Sequence, residues 1–188
     1  MEEIQVRLIL IGLPGSGKST QGSLLSEILG IPHISVGDRI RAKVHCDSST
    51  LASDIRAHWQ SSHKLWQPLP DELMIAAVRQ FINNQNAWIL DGFPRNLEQV
   101  NWLSQQHKLD LVVWLDISEQ TSINRVLARK RDTDTLEKVR SRSIVELHRF
   151  DAVQKFYATQ NLLIRIDAEQ CQDNITDKIL KAIDDNIS

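Results

Sequence analysis

Residues 12–20 read GLPGSGKST. The stretch satisfies G-x-x-x-x-G-K-[ST] in full, with an apolar run before it (Val6 to Ile11) and a segment of helical period after it (Lys18 to Leu29). A strand that ends in such a loop and opens a helix turns successive backbone N–H groups toward one point. Gly12, Gly15 and Gly17 permit the tight curl, and the positive end of the following helix adds to the field. The ligand that suits this cradle is a nucleotide's phosphate chain. Lys18 supplies a point charge for β and γ phosphates, Ser16 lies in the same loop, Ser19 offers a hydroxyl to Mg²⁺, and Thr20 reaches a phosphate from the first helical turn. A ligand-free glycine turn is the plain alternative, and the full motif between a strand and a helix weighs against it.

Working outward, 188 residues fit one domain (1–188) able to bury a core without staples. With 22 Lys and Arg against 24 Asp and Glu the net charge is −2, so no overall basic field draws nucleic acid or an anionic membrane. The two cysteines, Cys46 and Cys171, are far apart and lack partners at zinc-ligand spacing, and with no secretory signal they fit a reducing, cytoplasmic setting. The N-terminal apolar run follows Glu2 and Glu3 and is too short to span a membrane.

Short Val, Ile and Leu runs alternate with longer segments of helical period, which predicts an α/β protein whose parallel sheet is covered by helices on both faces. Five strands are expected, at residues 6–11, 32–34, 87–90, 111–115 and 163–166. Helices are expected at 18–29, 71–83, 97–105, 119–130, 136–159 and 175–187, with Pro70 at a first helical position. Residues 35–69 are too long for a simple connection and predict a small helical excursion. A much shorter excursion, KRDTDT at 130–135, links two helices.

Three further segments carry chemistry. HISVGDRIRA (33–42) contains Arg41, WILDGFPRNLEQ (88–99) contains Asp91 and Arg95, and Arg125, Arg129, Arg131 and Arg142 follow. A carboxylate at a strand end beside a phosphate loop can hold metal-bound water, and paired guanidiniums clamp a phosphate dianion bidentately. Arg125 and Arg129 are four apart and share a helix face, so the cations can converge. A lone Arg is more often a surface cation; beside the phosphate loop the balance reverses.

In order and spacing these segments resemble the adenylate kinase group of nucleoside monophosphate kinases, over nearly the whole chain. The resemblance implies a three-layer P-loop NTPase-type fold, a monomer and reversible transfer of the γ-phosphoryl of ATP to AMP, with Mg²⁺ accompanying ATP. It places Lys18, Arg95, Arg129, Arg131 and Arg142 in catalysis, and Arg125 and Gln170 beside the ATP base. Val36, Gly37, Arg41, Gln67, Leu69, Gly92, Arg95 and Gln99 fall to AMP, Asp91 faces the metal through water, 35–69 closes over AMP and 130–135 is a very short lid. Gln99 stands where the family reads the adenine edge, since an amide can bond an amino group and a ring nitrogen together.

The chain departs from the family pattern at several points. Val36 replaces a frequent Thr, Ser19 a usual Gly, Gln170 a frequent Gly, and Asp132-Thr133-Asp134 the paired Asp of the lid. Two alternatives therefore stand beside the main reading: a kinase of the UMP/CMP type, favoured by Val36 and opposed by Gln99, and a nucleotide-binding regulator with little turnover. None of the five tryptophans falls at a motif position.

Overall fold

A computed structural model describes residues 5–61, 68–129 and 136–187. The order of elements is β1 (Arg7–Gly12), α1 (Lys18–Leu29), β2 (His33–Ser35), α2 (Val36–Cys46), α3 (Thr50–Ser61), α4 (Asp71–Ile82), β3 (Trp88–Asp91), α5 (Leu97–Gln106), β4 (Leu111–Asp116), α6 (Glu119–Ala128), α7 (Leu136–Thr159), β5 (Leu163–Asp167) and α8 (Gln172–Ile187). All five expected strands form, and every pairing in the sheet is parallel, in the order β2-β3-β1-β4-β5.

Both faces of this sheet are covered, as the unbroken apolar runs require. Along β1, Ile9 and Ile11 enter one core, shared with Val78, Leu90, Val100 and Tyr157, while Leu8 and Leu10 enter the other, shared with Leu25, Val113 and Ile179. Successive residues of a strand point to opposite faces, so one six-residue strand serves two cores. Helices α2, α3, α4, α5 and α7 contribute to the first layer, and α1 and α8 to the second. The strand order reverses at β1, which lies between β3 and β4. In open parallel sheets the crevice beyond the strands' carboxyl ends at such a reversal is where ligands bind. The loop after β1 and the last residue of β3, Asp91, meet there.

Some boundaries move. Pro70 caps α4 instead of entering it: its ψ of 143° is extended, and its carbonyl accepts from Met74 N at 3.0 Å, so Asp71 is the first helical residue. Helix α6 ends at Ala128, earlier than the expected 130, and α8 starts at Gln172, earlier than the expected 175. The excursion at 35–69 is helical over α2 and α3, as its composition implies. The expected lid, residues 130–135, and Gln67 lie outside the described residues.

Candidate active site

The loop between β1 and α1 has Gly15 and Gly17 at φ of 80° and 94°, conformations that glycine adopts at no steric cost. Gly12 is required for space as well. A Cβ there would lie 2.6 Å from the Leu115 carbonyl oxygen and 2.8 Å from Ser16 Oγ. Helix α6 braces the loop from behind: buried Ser122 donates to the Pro14 carbonyl at 2.6 Å, a contact no sequence motif announces. Lys18 Nζ folds back over the loop and donates to the Gly12 and Leu13 carbonyls, each at 2.8 Å, and to Ser16 Oγ at 3.3 Å. The ammonium thus stands at the mouth of the cradle, held by neutral acceptors that a phosphate oxygen outcompetes.

Across the crevice, Ser19 Oγ donates to Asp91 Oδ2 at 2.6 Å, and His33 Nε2 stands 3.7 Å from the same oxygen. Asp91 is 4% exposed. Burial pushes its carboxyl up, but the His33 imidazole, the Lys18 charge and the Ser19 hydroxyl outweigh burial and leave it below its ordinary value. An ionised carboxylate and a hydroxyl side by side are hard oxygen donors of the kind Mg²⁺ takes. Among the described residues no cluster of three or more His, Cys, Asp or Glu side chains could hold a metal alone. A cation here would need the phosphates as further ligands.

The same cleft is lined by Gly37, Arg41, Gly92, Arg95 and Arg129. Arg41 hydrogen-bonds Asp38, which also accepts from Ser35 Oγ at 2.8 Å. Arg95 Nε donates to the Gly92 carbonyl at 2.7 Å, so the guanidinium is aimed by its own turn. An adjoining cavity of about 370 Å³ runs from Gly15 and Thr20 past Arg125 to Gln170 and Ile175. Arg125 donates to the Ala168 carbonyl at 3.0 Å there, and Gln170 bridges Asp167 and Lys178. Gln21 and Thr176, both buried, bond at 2.8 Å and tie α1 to α8 along the cavity's flank.

The structure places the other expected site residues as follows. Val36 is fully buried in the core and Leu69 is 6% exposed within it, so both side chains pack in the interior. Gln99 is 2% exposed: its Oε1 accepts from Arg95 N at 2.8 Å and its Nε2 donates to Asp71 Oδ1 at 2.6 Å. Arg142 lies on α7, and Arg131 lies outside the described residues.

A phosphate loop, a strand-end carboxylate and three guanidiniums around one crevice describe a nucleotide enzyme, and comparison with known proteins says which kind. The adenylate kinase family model matches residues 10–162. The chain belongs to the adenylate kinase family. It is 32% identical over 184 residues to adenylate kinase 1 of Synechocystis sp., covering 94% of this chain and 96% of that protein. It is 34% identical over 187 residues to the adenylate kinase of Corynebacterium urealyticum (95% and 99% covered). With the adenylate kinase of Encephalitozoon cuniculi it shares 35% identity over 180 residues (95% and 98% covered). The two adjoining cavities share Gly15, Gly17 and Arg129. The Ser19 to Asp91 hydrogen bond involves a residue at which the chain departs from the family pattern.

Proposed function

We propose that the protein transfers the γ-phosphoryl group of ATP reversibly to AMP, giving two molecules of ADP. The observation that carries this reading is the convergence of Lys18, Arg41, Arg95 and Arg129 on the cleft that opens between the phosphate loop and Asp91. Phosphoryl transfer asks a protein chiefly for positioning and for neutralising charge on the equatorial oxygens, and fixed cations in a cleft supply both.

ATP would lie with its phosphates on the backbone of residues 12–17 and its base in the cavity by Arg125, Ala168 and Gln170. AMP would enter from the α2 side, its phosphate between Arg41 and Arg95. Lys18 then releases the Gly12 and Leu13 carbonyls for the β and γ oxygens, and Arg129, with Arg131 and Arg142, completes the charge around the moving group. The acceptor phosphate is already ionised, so no general base is needed. Mg²⁺ bound with ATP would neutralise the β and γ oxygens; Ser19 and the ionised Asp91 are the residues that would hold it, Asp91 through water. The protein would act as a monomer in the cytoplasm. No helix among the described residues is long and apolar enough to cross a membrane, and both cysteines are exposed free thiols.

A coupled assay of ADP formation from Mg-ATP with AMP, CMP, UMP and GMP in turn tests the proposal. AMP is expected to be turned over well above the others; a preference for CMP or UMP would replace it with a pyrimidine monophosphate kinase.

A further inference from the structure

Gln99 does two jobs at once in this fold, and the second depends on a residue outside the cleft. Asn96 caps α5, its Oδ1 accepting from Gln99 N at 3.0 Å, and three residues on the Gln99 side chain turns back to accept from the backbone N–H of Arg95. The spacing is that of a capping box, with the return bond falling one residue earlier than usual. Both amides then meet Asp71 at the start of α4. Asn96 Nδ2 lies 2.9 Å from each carboxylate oxygen, and Gln99 Nε2 lies 2.6 Å from Oδ1.

An ionised carboxylate only accepts, so it forces each amide to present its NH₂. The main-chain N–H of Arg95 only donates, so it forces Gln99 to present its oxygen on the other side. The amide is therefore clamped in one of its two flips. One lone pair on Oε1 and one N–H on Nε2 remain. In that sense the oxygen accepts from an exocyclic amino group and the nitrogen donates to the neighbouring ring nitrogen, the pattern of adenine. A 6-oxopurine shows the reverse, an acceptor oxygen beside a ring N–H, and meets two mismatched bonds.

We propose that Asp71 is a positioning residue for base selection: by holding the Gln99 amide in one flip it makes the acceptor site discriminate an amino-substituted base from its oxo counterpart. This rests on the reading of Gln99 as a contact to the acceptor base. Asp71 touches neither phosphate nor base in this scheme and acts only through Gln99. Of the two anchors that fix the flip, it is the one a side-chain substitution can remove.

The test is the ratio of kcat/KM for AMP to that for IMP, which differ at the base only by the exchange of amino for oxo. Asp71→Ala is expected to lower that ratio by on the order of tenfold, a fraction of what a hydrogen-bonded site can discriminate. The AMP to CMP ratio should move much less, because cytosine presents the same amino and ring-nitrogen pair. Asp71→Asn, which keeps the size and one acceptor oxygen, should give a smaller drop, and it keeps the test open if the alanine variant does not fold. In a Gln99→Ala background the same Asp71 changes should leave the AMP to IMP ratio where Gln99→Ala alone puts it. An unchanged ratio with AMP turnover intact overturns the role of Asp71 and leaves the kinase reading standing, as does an equal drop with and without Gln99. Absence of AMP turnover in the unaltered protein overturns both.

Discussion

Ser19 Oγ and Asp91 Oδ2 are 2.6 Å apart, although 72 residues separate them in the chain. The bond joins the first turn of α1 to the end of β3 across the mouth of the phosphate cradle. A glycine at position 19 would leave the carboxylate without this donor, and the hydroxyl brings a second hard oxygen to the place where the metal of Mg-ATP would sit. If that oxygen joins the metal's ligand set, Ser19→Ala raises the Mg²⁺ concentration needed for half-maximal turnover by roughly tenfold, the lower range for loss of a supporting ligand, and Ser19→Thr does not. Titrating Mg²⁺ at fixed ATP, and following nucleotide binding in parallel, reads the effect. Superimposable Mg²⁺ curves for Ser19→Ala and the unaltered protein would reduce the hydroxyl to a brace for Asp91.

Lys18 donates to the Gly12 and Leu13 carbonyls and to Ser16 Oγ. These three links stay within the loop, and the charge that Lys18 also exerts on Asp91 is a modest part of the whole, so Lys18→Ala should keep the fold while removing the charge offered to the transferred phosphate. Loss of one such preorganised donor costs on the order of 10²–10³ in kcat. Single-turnover rates with saturating ATP and AMP, alongside a circular dichroism spectrum, check both halves. A well-folded variant within tenfold of normal turnover would remove Lys18 from the reaction.

Arg95 is held by its own turn, with Nε on the Gly92 carbonyl at 2.7 Å, and lines the cleft. A flat fork aimed in this way grips a phosphate by two parallel bonds, which an ammonium cannot imitate. Arg95→Lys should therefore behave nearly as badly as Arg95→Ala, each lowering kcat/KM for AMP by about 10² or more while ATP binding stays within a few fold. Rescue of most of the activity by lysine would mean that position 95 contributes charge alone.

How far these roles could be read beforehand depended on whether chemistry or packing chose the residue. Gly15, Lys18, Asp91 and Arg95 belong to local sequence patterns, and the fold brings them to one crevice. The boundaries of α1 and α7 coincide with those expected, and α1 lies between Gly17 and Gly30, both in the left-handed conformation. Val36 was legible only as a variation on a family pattern, and its complete burial follows from core packing that local sequence does not encode. In the sequence Asp71 stands out only as the first residue of an expected helix, and nothing singles out Ser122 within the helix expected at 119–130. Their partners, Gln99 and Pro14, lie 28 and 108 residues away, and only the completed sheet sets those distances.

Asp91 also links the site to stability. Its carboxyl lies below the ordinary 3.8 in the folded protein, because the His33, Lys18 and Ser19 contributions exceed the opposing effect of burial. A depressed folded-state value means that the unfolded chain binds the proton more readily. The stabilisation is therefore present above about pH 4 and is lost as the pH falls through the folded value. In metal-free buffer, the difference in unfolding free energy between the unaltered protein and Asp91→Asn should be larger at pH 7 than near pH 3. The asparagine still accepts from Ser19, so the comparison isolates the charge. Denaturant unfolding of both proteins at the two pH values measures it. A difference that stayed constant or grew toward acid would mean that burial outweighs Lys18 and its companions, and that the carboxylate is tolerated for function at a cost to the fold.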